Sequence, residues 1–402
     1  MSGKTIALLV PRLYNGGAEK VAADMSIFLS NAGYHIVFFL DQFNLNACYN
    51  HKGKEVVIDA DSILNKSCQI GQWYHYLRRA EQYKKYKRKY KVDISISFMV
   101  EENLTNVLSD IGDKKILTLH SVTSRVKEFR GLLFAKPWVL RKLYPRADAV
   151  IAVSKAVKRD LECRIGACTG VVDVIYNSVN VATLHELSKE SLEQTYPQNL
   201  ILYVGRLDHE KRPWIAIRVM QEVIRKNSNV KLVMLGRGEN EELLRELIKK
   251  FHLESYVELV GFTDNVAKYM ARAKLLVLCS ETEAFPCVLT EAAALGLPVV
   301  ANNCPGGICE ILSAKKRRLG KMQGDNVIVE CGVITPMITL EREDCKKHGL
   351  SREEKLMAQA ICTLLEDDEL RKSLSQNAFI RSKKFSREEI AEKWLNVLEK
   401  MA

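Results

Sequence analysis

The sequence predicts an α/β fold made of two parallel-sheet domains. Short apolar runs of strand length alternate with helical stretches along the chain, which is the pattern of a parallel sheet covered by helices. A length of 402 residues suits two or three domains. The composition, 47% hydrophobic and 27% charged, is ordinary for a globular protein. Periodic apolar character lapses between residues 180 and 198, so a linker is predicted there.

The first predicted strand, residues 5–10, runs into a loop that holds Gly16 and Gly17 and then into a helix. Two glycines let the backbone approach a phosphate or a sugar closely, because no Cβ intervenes. The loop is not the G-x-G-x-x-G fingerprint, so a nicotinamide or flavin cofactor is not indicated. A plain strand-to-helix turn is the alternative.

A later strand of the first domain, residues 115–119, ends at His120. The carboxyl ends of parallel strands are where α/β proteins place ligand contacts. His120 is therefore a candidate site residue, and a histidine that only caps the strand is the alternative.

In the second domain, the apolar run at residues 201–204 ends at Gly205, and Arg206 and Lys211 follow in the turn into a helix. An arginine fork and a lysine point charge both suit phosphate oxygens. Two fixed cations could stabilise negative charge on a departing diphosphate. Ordinary surface ion pairs, which contribute at most about 1 kcal/mol, are the alternative.

Two carboxylates eight positions apart, Glu283 and Glu291, follow another strand-like run, residues 273–280. Pro286 between them is favoured at the start of a helix. The backbone N–H groups of the next three residues would then form an anion site at the helix N-terminus. Carboxylates accept hydrogen bonds from sugar hydroxyls, although a lone Glu at a strand end is usually a solvated loop residue.

Taken in this order and spacing, these stretches resemble the donor site of retaining glycosyltransferases of the GT-B fold, family 4 type. The resemblance implies two Rossmann-like parallel-sheet domains facing across a cleft. Residues 1–182 would be the acceptor-binding domain, joined by a crossing C-terminal helix at 386–402. Residues 183–385 would bind the nucleotide sugar.

The resemblance also implies a role for each motif. Glu283 would hold the sugar hydroxyls, and Glu291 the ribose. Arg206 and Lys211 would neutralise the diphosphate, and His120 would contact the sugar or steady charge at the reacting carbon. The residues assigned to the donor are Gly16, Gly17, Arg206, Lys211, Gly236, Asn265, Val266, Glu283, Phe285, Cys287, Val288, Leu289 and Glu291.

The Pro-Gly-Gly sequence at 305–307, taken with Asn-Gly-Gly-Ala-Glu at 15–19, is most similar to bacterial transferases that build glycans on a polyprenyl diphosphate carrier. Many of those use UDP-N-acetylhexosamines. The nucleotide sugar would be a co-substrate, and no side-chain base is required. Three alternatives stay open: a nucleotide-sugar epimerase of the same fold, a phosphorylase, or a non-catalytic module that binds membrane or nucleic acid.

Eleven cysteines form no C-x-x-C pair and no metal-like spacing with histidine, so we expect reduced thiols in the cytoplasm. The first apolar run has only strand length, so no signal peptide is expected. No cofactor and no essential metal are expected.

The net charge of +11 is concentrated in the first domain, where residues 74–91 hold eight Lys or Arg and one acid, Glu81. Aromatic rings beside cations suit an anionic membrane surface. A lipid-linked acceptor and the inner face of the plasma membrane are therefore expected partners, and nucleic acid is not. The residues assigned to membrane or acceptor are Trp73, Tyr76, Arg79, Tyr83, Lys84, Lys87 and Tyr90. Alternatively, the Tyr face of this helix packs on the domain core.

Overall fold

The computed structural model describes residues 3–14, 16–41, 49–58, 69–125, 136–167, 172–314 and 324–401, without the side chains of 69–72. The chain divides into two compact units. The first comprises Met1–Ser178 and Glu388–Ala402, and the second comprises Val179–Arg387. The divisions therefore fall after Ser178 and Arg387, whereas the sequence placed them after residues 182 and 385.

The first unit is built on a seven-stranded parallel sheet with the order β3-β2-β1-β4-β5-β6-β7. Its strands are β1 (Thr5–Leu9), β2 (His35–Leu40), β3 (Lys54–Val57), β4 (Ile94–Phe98), β5 (Lys114–Leu119), β6 (Ala149–Ala152) and β7 (Val172–Val174). Its helices before residue 178 are α1 (Gly17–Asn31), α2 (Gln69–Lys89), α3 (Val100–Leu108), α4 (Pro137–Leu143) and α5 (Lys155–Arg159), with shorter turns at Tyr144–Arg146 and Asp160–Ile165. The inner strands, β1, β2, β4, β5 and β6, are short and mostly apolar and are buried on both faces, as in other parallel sheets.

The second unit repeats this plan with the order β10-β9-β8-β11-β12-β14-β13, in which only β13 runs antiparallel to its neighbour. Its strands are β8 (Asn199–Val204), β9 (Val230–Leu235), β10 (Val257–Gly261), β11 (Leu275–Leu278), β12 (Val299–Asn302), β13 (Val327–Val329) and β14 (Gly332–Thr335). Its helices are α6 (Val181–Ser188), α7 (Pro213–Lys226), α8 (Glu241–Lys250), α9 (Ala267–Met270), α10 (Cys287–Ala294), α11 (Ile308–Leu312), α12 (Arg352–Glu366) and α13 (Asp368–Ser382), with 3-10 turns at Arg342–Asp344 and Lys383–Phe385.

The last helix, α14 (Arg387–Glu399), contributes Ile390, Trp394 and Leu398 to the core of the first unit. These positions are four residues apart and share one helical face. The segment predicted as a linker, 180–198, contains α6 instead. Asn180 caps that helix by accepting a hydrogen bond from the Thr183 N–H at 3.2 Å.

Each sheet has a point at which the strand order reverses, β1/β4 in the first unit and β8/β11 in the second. In open α/β sheets, the crevice at the carboxyl ends of such strands is the usual ligand site. The loops after β1, β4, β8 and β11 are therefore the places where the fold favours binding.

The basic aromatic helix α2 presents a different face from the one predicted to meet a membrane. Tyr76, Arg79, Tyr83 and Lys87 are buried. Their assignment to a membrane surface is corrected, since interior side chains cannot meet lipid. Trp73, Lys84 and Tyr90 are half-buried.

Specific partners hold the buried residues of α2 in the interior. The ring of Tyr83 packs edge-on against Phe39 of β2, with centroids 5.7 Å apart. Lys87 donates to Asp113 Oδ2 and to Asn106 Oδ1, both at 2.8 Å. Burial lowers the pKa of Lys87 to about 8 against the opposing effect of Asp113. This helix face is therefore part of the first unit's structure.

Candidate active site

The reversal point of the second unit brings two loops together at the carboxyl ends of β8 and β11. The turn after β8 carries Arg206 and Lys211, and the loop after β11 carries Glu283. Lys211 Nζ donates to Glu283 Oε1 at 2.7 Å. Ser280 Oγ donates to the same oxygen at 2.6 Å. Two residues predicted separately from sequence are therefore one ion pair.

Burial and charge act in opposite directions on Lys211. Burial lowers the pKa of Lys211, but the neighbouring carboxylates of Glu283 and Glu210 raise it by more, so the net shift of the pKa is upward. The ammonium therefore stays charged at neutral pH. Such a fixed cation can stabilise a developing negative charge without reorganising.

The backbone of Glu283 is held by the Pro-Gly-Gly loop that follows β12. Glu283 N–H donates to Pro305 O at 3.0 Å, and Gly307 N–H donates to Glu283 O at 2.9 Å. Gly306 lies between them at φ 134°, and a Cβ there would be 1.5 Å from Glu283 O. Only glycine permits this close approach, so the loop fixes the position of the Glu283 carboxylate.

Arg206 is paired with acidic residues of its own turn. Its guanidinium lies 2.5 Å from Asp208 Oδ2 and 2.9 Å from Glu210 Oε2. Burial lowers the pKa of Arg206, but the two carboxylates raise it to a net upward shift. The side chain remains about half exposed, so an incoming anion could compete with Asp208 and Glu210 for it.

A second ion pair, formed by Arg212, runs beside the Lys211 pair. Arg212 is buried in a left-handed backbone conformation, with φ 46° and ψ 51°. Its guanidinium contacts Glu281 Oε2 and Glu341 Oε1, both at 3.1 Å, and donates to Ile338 O at 3.1 Å. The turn after β8 is thus attached to the loop after β11 at two adjacent positions.

Glycine turns at the ends of β8 and β9 also meet at this edge of the sheet. Gly205 N–H donates to Leu235 O at 3.0 Å, and Gly236 N–H donates to Gly261 O at 2.8 Å. A Cβ on Gly236 would be 1.9 Å from Gly205 O. The two turns are therefore in close backbone contact, which a side chain at residue 236 would prevent.

Helix α10 begins at Cys287, and Pro286 is its N-cap rather than its first helical residue. The Leu289 N–H donates to Pro286 O at 3.0 Å, so the prediction that this N–H points outward to an anion is wrong. Glu291 is buried within the same helix. Phe285, two residues before the helix, packs edge-on against Phe385 with ring centroids 5.5 Å apart.

Asn265 uses its side chain within the second unit. Its amide donates to Leu187 O at 2.9 Å, and its Oδ1 accepts from the Lys268 N–H at 3.2 Å. The Asn265 amide, predicted to contact the donor, is thus engaged at both ends by the protein itself.

His120 lies in the first unit, directly after β5. Its Nε2 is 3.0 Å from Thr118 Oγ1, and the Thr118 hydroxyl itself donates to Ser97 O at 2.7 Å. The threonine oxygen must therefore accept, which assigns the imidazole proton to Nε2. Burial lowers the pKa of His120 to about 3, so the ring is neutral at physiological pH.

Gly16 and Gly17 mark the N-terminus of α1, with Gly16 as N-cap. Arg12 Nε donates to Glu19 Oε1 at 3.2 Å. A Cβ on Gly16 would be 2.2 Å from Glu19 Oε2, so the carboxylate of Glu19 lies directly against the loop backbone. A Cβ at residue 16 would require the flexible Glu19 side chain to shift, although the extended backbone there, with φ −115°, accepts any residue.

Comparison with known families decides between the functional classes that this geometry allows. Residues 15–183 match the family model described as Glycosyltransferase Family 4. Residues 185–326 match the one described as Glycosyl transferases group 1. The chain is a GT-B glycosyltransferase of the family 4 type. The predicted family and fold are confirmed.

Two relatives of this transferase come from Campylobacter jejuni. The first is N-acetylgalactosamine-N,N'-diacetylbacillosaminyl-diphospho-undecaprenol 4-alpha-N-acetylgalactosaminyltransferase. It is 27% identical over 402 residues, which cover 98% of this chain and 99% of that protein. The second is GalNAc-alpha-(1->4)-GalNAc-alpha-(1->3)-diNAcBac-PP-undecaprenol alpha-1,4-N-acetyl-D-galactosaminyltransferase. It is 23% identical over 98% of each chain.

Among solved structures, the transferase is similar to Anabaena Alr3699/HepE in complex with UDP and glucose. The TM-score is 0.75 at 19% identity, over 99% of this chain and 100% of that one. A likeness at this identity supports the fold. No helix in the part of the chain that the structure describes is both long and apolar enough to cross a membrane. Within the same residues, no group of three or more His, Cys, Asp or Glu could hold a metal ion.

Sequence reasoning found the charged residues of the transferase but missed those that hold them. Ser280, Gly306 and Arg212 were not assigned to the site, although each contacts a predicted residue or its loop. Glu210, four residues after Arg206, could have been found from the spacing of opposite charges. Gly306 belongs to the Pro-Gly-Gly sequence used for the family resemblance, but its contact with Glu283, 23 positions away, had no local signal.

Proposed function

We propose that this transferase moves an N-acetylhexosamine from a UDP-sugar, with retention of anomeric configuration, to a hydroxyl of a glycan on a polyprenyl diphosphate lipid. The observation that carries the proposal is the Lys211–Glu283 pair, which joins a cation and a sugar-binding carboxylate at the sheet's reversal point. The choice of sugar and carrier rests on the names of the two Campylobacter relatives.

In this mechanism, each half of the pair acts on one half of the donor. Glu283 accepts hydrogen bonds from the sugar hydroxyls, and Glu291 from the ribose. Lys211 and Arg206 stabilise the charge that builds on the diphosphate as the bond to the anomeric carbon breaks. Because these cations supply that charge stabilisation, the reaction would not require a divalent metal ion.

Retention follows if the acceptor hydroxyl attacks from the face that the diphosphate leaves. The hydroxyl proton then passes to the departing β-phosphate oxygen, so no side-chain base takes part. His120 suits a place beside the reacting carbon, since a neutral ring does not repel the positive charge that develops there. Its Nδ1 could accept a hydrogen bond from a sugar hydroxyl.

The experiment that tests this proposal uses UDP-N-acetylgalactosamine and UDP-N-acetylglucosamine with an undecaprenyl-diphosphate-linked oligosaccharide in excess EDTA. We expect transfer from one donor at the rate seen without EDTA, and an α-linked product by its anomeric proton coupling. A β-linked product from these α-donors would contradict retention. Complete loss of transfer in EDTA would contradict independence from metals.

We further propose that the first unit contacts an anionic membrane surface, as a lipid acceptor requires. The residues suited to it are Tyr74 and Leu77 of α2 and Trp138 of α4, whose exposed fractions are 55%, 57% and 54%. The half-buried ring of Trp73 on α2 lies 6.3 Å from the ring of Trp138 on α4. We call Tyr74, Leu77 and Trp138 the exposed apolar patch. Exposed Arg78, Arg141 and Lys142 on the same helices add positive charge.

Replacing the exposed apolar patch with serines should weaken binding to vesicles. For the triple variant Tyr74→Ser, Leu77→Ser and Trp138→Ser, we expect at least about a tenfold loss of affinity for phosphatidylglycerol vesicles, because three large apolar side chains no longer enter the interface. The matched control is Ile328→Ser, Phe379→Ser and Ile380→Ser in the second unit, where the side chains are also exposed. Equal binding by the patch variant and the wild type in a flotation assay would contradict the proposal.

A further inference from the structure

Met99 lies directly after β4 in a backbone conformation that side chains rarely adopt. It is the N-cap of α3, with φ 88° and ψ 156°. This region of backbone space is essentially restricted to glycine, because a Cβ there crowds the neighbouring peptide groups. A residue persists in it only when the surroundings impose it. Such residues concentrate at binding and catalytic sites.

The side chain of Met99 does little to offset this strain. It is 40% exposed, so a large part of its apolar surface remains in water. The one backbone bond that begins α3, from the Asn103 N–H to Met99 O at 3.0 Å, would form equally well with glycine. Folding therefore gains little from methionine at this position, and a role outside folding accounts for it better.

The location of Met99 is the reversal point of the first unit's sheet. Strand β4 pairs with β1 on one side and with β5 on the other. The loop at Gly16 and Gly17 follows β1, and His120 follows β5. Phe98, which precedes Met99, stacks on the His120 ring with centroids 5.5 Å apart. Met99 thus stands between the two elements of this unit that resemble donor-site motifs.

A buried arginine holds two carboxylates at the same edge of the sheet, one after β2 and one at the start of α3. Arg79 Nη2 donates to Asp41 Oδ1 at 2.6 Å, and Nη1 lies 3.4 Å from Glu101 Oε1. Asp41 follows β2, and Glu101 is in the first turn of α3, two residues after Met99. Both carboxylates are partly exposed. A carboxylate fixed in this way can accept hydrogen bonds from sugar hydroxyls.

We propose that Met99, Asp41 and Glu101 form a subsite for the terminal acceptor sugar, an N-acetylated pyranose, and that Met99 determines specificity in it. The flexible thioether packs against the N-acetyl methyl group and the apolar ring face. The two carboxylates orient the sugar's hydroxyl groups, one of which is the nucleophile. This inference rests on the proposed function, because it takes the acceptor to be a glycan.

Met99→Gly separates a binding role from a structural one, since glycine adopts this conformation without strain. We expect its Tm to equal or exceed that of the wild type, while the KM for the acceptor rises about tenfold. The KM for the donor should not change. Met99→Leu keeps the apolar contact, so its acceptor KM should stay within about threefold of the wild-type value. An acceptor that lacks the acetyl group should be used equally poorly by the wild type and by Met99→Gly.

Two results overturn the subsite. One is an unchanged acceptor KM in Met99→Gly, and the other is an equal rise of acceptor and donor KM, which would indicate a general disturbance. Both require a wild-type enzyme that transfers sugar to the glycan acceptor. If the wild type does not transfer at all, the proposed function fails instead, so the two failures are distinguishable.

Discussion

Glu283→Gln is expected to lower kcat by about 10²–10³-fold, because removing one charge-stabilising contact at the reacting centre typically costs that much. Glutamine keeps the shape of the side chain and can still accept from Ser280 and Lys211, but it carries no charge to offset the Lys211 ammonium at 2.7 Å. The half-buried ammonium loses its ion-pair partner, and the sugar loses its charged acceptor. Lys211→Met should cause a similar loss.

The control for this prediction is a Glu–Lys pair of similar length elsewhere in the second unit. Lys372 lies 2.8 Å from Glu369 on the surface of α13, with both side chains exposed. Exposed pairs contribute little, so Glu369→Gln should leave both kcat and Tm unchanged. The double variant of Glu283 and Lys211 should cost less than the two single losses combined, since the residues act as one unit. A wild-type rate in Glu283→Gln would reject the assignment of the site.

Gly306→Ala is the second change from which we expect a large effect. The new Cβ would stand 1.5 Å from Glu283 O and at a backbone φ of 134°. The loop must therefore move, and the two backbone bonds that hold Glu283 between Pro305 and Gly307 cannot both persist. We expect kcat/KM to fall by at least about 10²-fold, because misplacing a positioning group by about 1 Å can cost that much.

Gly349→Ala is the control that separates the cost of a positive φ from the displacement of Glu283. Gly349 also has a positive φ, 82°, but no atom lies within 4 Å of the position of its Cβ. Alanine there carries the conformational cost of about 1 kcal/mol without a clash, so Tm should fall slightly while kcat/KM is retained. Equal activity losses in the two variants would show that positive φ, and not the contact with Glu283, explains the effect of Gly306→Ala.

The sequence predicted the parallel sheets and the order of the site loops because both depend on local patterns. Strand-length apolar runs ended in glycine or charged turns, and a parallel sheet gathers the ends of such strands at one edge. That is why Lys211 and Glu283, 72 positions apart, could be expected in one site.

Helix α2 shows where such reasoning fails. Periodicity identifies residues that share a helical face, but it does not say whether that face meets water or the protein interior. Arg79 and Lys87 looked like surface cations, yet Asp41, Glu102 and Asp113 pair with them in the interior. Those acids lie 23 to 38 positions away in the sequence, so only the folded structure brings them together.

The most direct test of the central claim is a panel of UDP- and GDP-sugars incubated with the wild type and with Glu283→Gln, using bacterial membrane extract as acceptor and EDTA throughout. We predict that the wild type releases nucleotide from one UDP-sugar only when the extract is present. The rate of release by Glu283→Gln should be at least about 10²-fold below that of the wild type. Absence of release across the panel, together with no nucleotide binding by calorimetry, would contradict the account and favour a binding module.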